Sequence, residues 1–388
     1  GACPVQGDVL NDTATDSSGT RPGLSRVENG RDLRLDLLRG LFLLKMIFDH
    51  LPDTPLHAYR RYVGFVSAAE GFFLLSGAVV AIAYGGVAER SGMRQATRGL
   101  WRRAATLYLA NLALVLALVV LELRGLLPVR DFAALWGSDR PTLADLLHFD
   151  QPYFLHVLPR YVFFLALAPA ALALLRRSGG GLVVLGVSVA VWWLNWNDNG
   201  RTLVPLLEPT RNDFRLLSWQ LPFFAGMVLG THRDALSRLY AKLPKGALLT
   251  ALCAGAAAFA LARVSLQQGL YELSGADRYR LFGREQIGPL RIVNASLVLG
   301  VLFVAVDRFW QPVHRASGWL LRPLGENSLF VFLLHIALLF ALLASGVYSW
   351  PIFHVSPWSL LLYDVLVLAL LFALTRARPR LRLPRSIG

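Results

Sequence analysis

The chain has 388 residues, 55% of them hydrophobic and only 16% charged, with a mean hydropathy of +0.48. That composition excludes an ordinary soluble domain and calls for an integral membrane protein. The net charge of +14 is no nucleic-acid signature, because the 39 Lys and Arg residues fall in short clusters between apolar runs rather than on one module. Two cysteines, Cys3 and Cys253, supply neither a disulfide framework nor metal-ligand spacing.

Residues 1–30 are rich in Gly, Asp, Thr and Ser and lack the apolar core of a secretory signal, so they read as a disordered cytoplasmic leader. Beyond them, apolar segments suited to a hydrocarbon layer of about 30 Å recur ten times. They fall near 35–51, 62–85, 100–123, 154–175, 181–196, 216–231, 246–263, 289–307, 327–347 and 357–375. Helices are expected, since a span in lipid must satisfy its own backbone and the alternation of a barrel is absent. The expected fold is therefore an all-α polytopic membrane protein, a bundle of about ten transmembrane helices over 31–376, followed by a basic cytoplasmic tail at 377–388. A cytoplasmic leader places Arg90, Arg94, Arg98, Arg102, Arg103, Arg176, Arg177 and the Arg-rich tail on the inner side, as the positive-inside rule requires. An even number of spans then makes both termini cytoplasmic. Trp192, Trp193, Trp196, Trp219, Trp350 and Trp358 fall at outer ends and read as an interfacial belt, with a cavity wall as the alternative. No inverted repeat stands out, and the outer loops at 124–153 and 264–288 offer chain to shape an acceptor site.

The first span carries the most informative pair. Arg39 and His50 lie eleven positions apart, so on one helix they share a face, separated by ~16 Å along the axis. Ionisable groups inside a span usually face a cavity or a partner. Asp36, three positions before Arg39, can orient it, and Gly40 would admit a ligand or a neighbouring backbone. Lys45 lies deeper in the same span. By depth, Glu70, Arg160 and Gln220 descend from the outer face and His335 sits near mid-membrane. Asp49, adjacent to His50, faces elsewhere, which leaves Glu70 as the carboxylate expected to orient the imidazole. Each group has a bland counterpart: a buried His or Gln bonding across helices, or Arg160 and Arg291 reaching for headgroups.

These residues sit in blocks that resemble a known family. Arg31 to Gly40 with Asp49-His50-Leu51-Pro52, the run Ala68-Ala69-Glu70 to Ser76-Gly77, and His156 to Val162 are three of them. Trp219-Gln220 with Phe224 to Gly230, and Leu324 to Phe332 ending in His335, complete the set. Their order and spacing resemble the OpgC-type membrane succinyltransferases, relatives of the acyltransferase-three membrane acyltransferases. Ser67 and Glu326 depart from that pattern, where an Asp and a basic residue are usual. The resemblance implies an acyl-CoA-dependent acyltransferase of the bacterial plasma membrane. It would move a short acyl group, succinyl in the namesake case, from cytoplasmic acyl-CoA to a hydroxyl of an extracytoplasmic cell-envelope glycan such as a glucan. It implies His50 and Glu70 as catalytic residues and Asp36, Arg39, Ser76 and His335 as donor-binding ones. Arg160, Tyr161, Trp219, Gln220 and Asn327 would meet the acceptor or the acyl group, with Arg160 suited to a succinyl carboxylate. Acyl-CoA is then a co-substrate, with no permanently bound cofactor and no metal; the partners are the lipid bilayer, the donor below and the glycan above, and no nucleic acid. An imidazole with a pKa of about 6.5 suits general-base work on a hydroxyl. A proton-coupled transporter or flippase, an N-acyltransferase acting on an amino sugar, and an acyl-histidine intermediate stay open at this point.

Overall fold

In a computed structural model of the chain, the described residues are 26–28, 31–51, 63–126, 155–197, 214–346 and 356–377, and they are almost entirely helical. Most of the leader, the tail from 378, Trp350 and most of the 124–153 loop lie outside them. The segment at 26–32 differs from the expected disorder. Strand β1 (Val27–Glu28) pairs antiparallel with β2 (Arg31–Asp32), Val27 opposite Asp32. The hairpin is fastened where the Leu33 N–H donates to the Arg26 carbonyl and Arg26 reaches Asp307.

Helix α1 (Leu33–His50) starts at Asp32, whose carboxylate accepts from the Arg34 N–H as an N-cap. Its eighteen residues include Arg34, Asp36, Arg39, Lys45 and Asp49, too many charges for a helix facing lipid. The bundle encloses it instead, burying Leu37, Leu38, Phe42, Leu43, Met46 and Ile47. Helix α2 (Ala68–Ser91) turns at Gly92, at φ 82°, straight into α3 (Met93–Leu123). With 31 residues, α3 spans roughly 46 Å, and its first turns carry Arg94, Arg98, Arg102 and Arg103 of the basic cluster.

Helix α4 (Val157–Leu175) packs on α3 and on α6 (Leu216–Thr231), and α5 (Gly180–Asn197) packs on α6 and α4. The tightest seam joins α2 to α6. A Cβ on Gly77 would strike the Phe223 carbonyl, one on Gly226 the Leu74 carbonyl and one on Gly230 the Ala78 carbonyl. Small residues thus let two backbones touch, as apolar helices without a hydrophobic driving force require. The exposed α7 (Arg233–Ala241) leads to α8 (Lys245–Gln267), a peripheral helix with no buried residue that leans on α10 (Pro289–Arg308). Between them lies the short α9 (Gly275–Phe282). Helix α11 (Trp310–Glu326) meets α12 (Ser328–Ser345) at a break bent by 88°, and α13 (Pro357–Ala377) completes the described bundle.

The chain is an all-α, multi-pass membrane protein. By length and composition, seven described helices can cross a bilayer, α2, α3, α4, α5, α8, α10 and α13, or eight if α11 and α12 form one broken span. The expected ten also counted α1 and α6. By that test of length and composition both fall outside the count, α1 because of its charges and α6 because it has only 16 residues, and both are largely buried in the bundle.

Candidate active site

The hairpin end of α1 holds a charged knot. The Arg31 guanidinium donates to Asp36 Oδ1 at 3.0 Å, and Arg39 Nη1 stands 3.8 Å from the same oxygen. Arg39 is 3% exposed and donates through Nη2 to Ser328 Oγ, the first residue of α12 after the break. Its Nε and Nη1, and Asp36 Oδ2, are buried without a hydrogen-bond partner in the structure. Buried charges in that state are costly. Gly40 serves a neighbouring backbone: a Cβ there would strike the Leu321 carbonyl, and one on Gly325 would strike the Asp36 carbonyl. That close approach of α11 to α1 brings the break, and Ser328, to Arg39. Asn327, at the break, turns its amide back to the Pro323 carbonyl at 2.9 Å. Glu326 pairs with Arg322.

A second guanidinium joins Arg39. Arg103 hydrogen-bonds Tyr84 and Tyr161 and lies within electrostatic reach of Arg39, as does Tyr161. The sequence reading assigned Arg103 to the basic cluster of the inner surface. A signal did exist: Ala96, Leu100, Ala104 and Leu107 form a buried stripe, and Arg103 lies on it while Arg94, Arg98 and Arg102 face outward.

From Tyr161 an aromatic wall runs toward the far end of α1. The Tyr161 ring meets Phe72 edge-on at 5.8 Å, Phe72 stacks on Phe332 at 5.8 Å, and Phe332 meets His335 edge-on at 5.2 Å. His335, 2% exposed, closes on His50: Nε2 of the former and Nδ1 of the latter are 3.0 Å apart. The structure thus brings together Asp36, Arg39, Tyr161, His335 and His50, with Arg103, Ser328, Phe72 and Phe332 added. Ser76 is buried on α2 beside the Gly77 seam. Lys45 pairs with Asp49 at 2.8 Å along α1.

Glu70 does not orient His50. Its Oε1 accepts from Arg291 Nε at 2.5 Å, and its Oε2 from the Ser67 N–H and hydroxyl at 3.0 and 2.6 Å. The carboxylate closes the N-terminal cap of α2 and neutralises a buried Arg291, which therefore does not reach for headgroups. Ser67, where the related pattern has an Asp, is the cap residue, a place either side chain can fill.

Three of the expected acceptor residues, Arg160, Trp219 and Gln220, are fasteners. Arg160, 1% exposed, donates through Nε to the Phe214 carbonyl and through Nη1 to the His156 carbonyl, both at 3.0 Å. Trp219 is fully buried, edge-on to Phe214, and its indole N–H donates to the Arg284 and Glu285 carbonyls, so it offers no stacking face. The Gln220 amide nitrogen donates to the Ser188 and Leu217 carbonyls. Trp192 and Trp196 are also buried and donate to the Ile287 and Arg280 carbonyls at 2.9 Å. A belt residue faces lipid; these three hold the 280–287 segment, where Ile287 is clamped at an unusual φ of 47°. Trp193 and Trp358 remain exposed, as a belt requires.

Residues 31–382 match the family model described as OpgC protein. The chain belongs to the OpgC family. No curated protein and no solved structure matches it. The OpgC match covers every element from β2 through α13, so the charged knot, the aromatic wall and the histidine pair all lie within it. OpgC membership implies a membrane-bound transferase with a role in glucan modification.

Proposed function

We propose that this OpgC-family protein is a membrane-embedded O-acyltransferase. It moves a short acyl group, succinyl by the family resemblance, from cytoplasmic acyl-CoA to a hydroxyl of an extracytoplasmic glucan, in the plasma membrane of a bacterium. The hairpin end of α1 is the cytoplasmic one in this reading, both termini lie there, and ten helices traverse the membrane layer, with α1 and α6 enclosed by the others. The observation that carries the reading is the histidine pair standing at one end of α1 and the buried Arg39 near the other.

Along one unbroken helix, Arg39 and His50 are separated by ~16 Å, of the order of an extended pantetheine arm. Arg39, Arg103 and the N-terminal end of α12 bring positive charge and the favourable end of a helix dipole to the polar end of the acyl carrier. The thioester then reaches His50. There the acceptor oxygen attacks the thioester carbonyl, a C–O bond forms as the C–S bond breaks, and His50 carries the hydroxyl proton to the departing sulfur. Glu70 takes no part beyond holding α2 and Arg291 in place.

The test supplies purified protein in nanodiscs with succinyl-CoA and a linear or cyclic glucan, reading free thiol and the ester mass on the glucan. Thiol release that requires the glucan is expected, and His50→Ala should lower it at least about 100-fold without a change in folding. Movement of a solute across the bilayer with no thiol released would make the protein a carrier and end the proposal.

A further inference from the structure

His335 had no assigned role at His50, and the geometry of the two rings gives it one. Their planes lie within 9° of each other and their centroids 5.3 Å apart, with the facing nitrogens 3.0 Å apart. The centroid separation is thus the N···N distance plus one ring radius on either side. The rings lie end to end rather than face to face, and the single hydrogen bond runs in the plane of the acceptor's lone pair, where it is strongest. One proton serves this bond, so one ring donates and the other accepts.

His335 settles which. Its other nitrogen, Nδ1, is buried with no hydrogen-bond partner among the described residues, and the acceptors that a helix offers a side chain in this position are the carbonyls of its preceding turn. Carbonyl oxygens only accept, so a nitrogen facing them keeps its proton. In a neutral ring the remaining nitrogen, Nε2, is then an acceptor. The proton of the pair therefore belongs to His50 Nδ1, and the basic nitrogen of His50 is Nε2. Phe332, edge-on to His335 and stacked on Phe72, holds the ring in this orientation.

We infer that His335 is the positioning residue of the transfer reaction, fixing His50 in the tautomer whose Nε2 takes the acceptor proton. The inference rests on the acyltransferase reading. In the reaction the hydroxyl proton passes to His50 Nε2 as its oxygen bonds to the acyl carbon, and from there to the sulfur released from that carbon. His335 accepts from His50 Nδ1–H throughout and ends unchanged. A neutral acceptor suits this apolar wall better than a carboxylate. The resting pair carries no charge to desolvate, and the imidazolium formed during transfer meets an aligned lone pair.

The test compares His335→Leu, which removes the acceptor, with His335→Gln, whose amide oxygen can reach the place of Nε2. The Leu protein should lose at least about 100-fold in kcat, with the KM for succinyl-CoA within twofold of the wild type, and the Gln protein should recover about tenfold or more. Equal losses in both, or a rise in KM with kcat kept, would overturn the inference, the latter making His335 a donor-binding residue. The unsubstituted protein gives an independent check. Nitrogen chemical shifts of labelled histidines in nanodiscs should show His50 protonated at Nδ1 and bare at Nε2, and the reverse would refute the assignment. Because that measurement needs no turnover, it stands apart from a failure of the wild-type protein to release thiol, which would instead remove the acyltransferase reading.

Discussion

The two ends of the bundle are closed by different chemistry. At the hairpin end a single carboxylate, Asp307, 1% exposed, gathers Arg26, Arg34, Lys245 and the Tyr240 hydroxyl. At the α9 end the fasteners are mostly neutral donors to backbone carbonyls: Trp192, Trp196, Trp219 and Gln220, with the Arg160 guanidinium among them. The first end is a hub on which Arg26, just before β1, converges with α1, α7 and α8, so its stability is concentrated. The second is spread over many contacts that each contribute about 1 kcal/mol. A concentrated electrostatic lock fails at one point and responds to salt, whereas a distributed one fails by degrees. In the proposed function the hub borders the donor side and the distributed closure the acceptor side.

The largest effect should come from Asp307→Asn. Removing one side of a buried ion cluster leaves cations without a counter-charge, which typically costs about 3–5 kcal/mol. Because Arg26 and Lys245 are themselves 47% and 34% exposed, about 3 kcal/mol is expected here. Thermal unfolding followed by tryptophan fluorescence should show a lower Tm. The loss should shrink as salt is raised toward 1 M, where the screening length falls to about 3 Å. An unchanged Tm would show that the hub is not where this end is held. In the transferase assay the KM for acyl-CoA should rise while that for the glucan stays.

This contrast marks how far the sequence could be read. The all-α membrane class, the enclosure of Arg39 and the family were legible, because composition and helical phase are local properties. The approach of His335 to His50 was not legible, because a topology assigns heights rather than neighbours: it put His335 near mid-membrane and left Glu70 as the group expected at the imidazole. Partners were not legible. Glu70 finds Arg291 across 221 positions and Arg34 finds Asp307 across 273, and no periodicity encodes such pairs. The tryptophans misled for a related reason: an indole at a span's end looks the same whether its N–H meets a headgroup or a carbonyl of a returning loop. Arg103 was readable by its helical phase but was hidden among arginines that do face outward.

Trp219→Phe sharpens the comparison from the other end. The Arg284 and Glu285 carbonyls lose their donor and a small void opens beside Phe214, a change of about 1–2 kcal/mol. Hydrogen exchange should speed up over 280–288 and 214–219 with the hairpin end untouched, and added salt should not alter the difference. Exchange spreading to residues 26–36 would mean that the two ends open as one unit. Activity should fall through the KM for the glucan.

The smallest effect is expected in alkali, where the two ends should behave alike. Burial, followed by the hydrogen bond to Asp307, pushes the Tyr240 hydroxyl up to about 12; burial, followed by the hydrogen bond to Glu285, pushes Tyr279 up to about 12. A phenol whose pKa is higher in the fold than in the unfolded chain, where it is about 10, stabilises the fold fully below pH 10 and loses that contribution as the pH rises through 12. Each end should therefore loosen slightly over that window, visible as phenolate absorbance accompanied by faster exchange nearby. Tyr279→Phe should remove the alkaline step at 280–288 alone and Tyr240→Phe the one around α7 alone. If either substitution silenced both, the closures would be coupled through the bundle, and a donor bound at one end would be felt by the acceptor at the other.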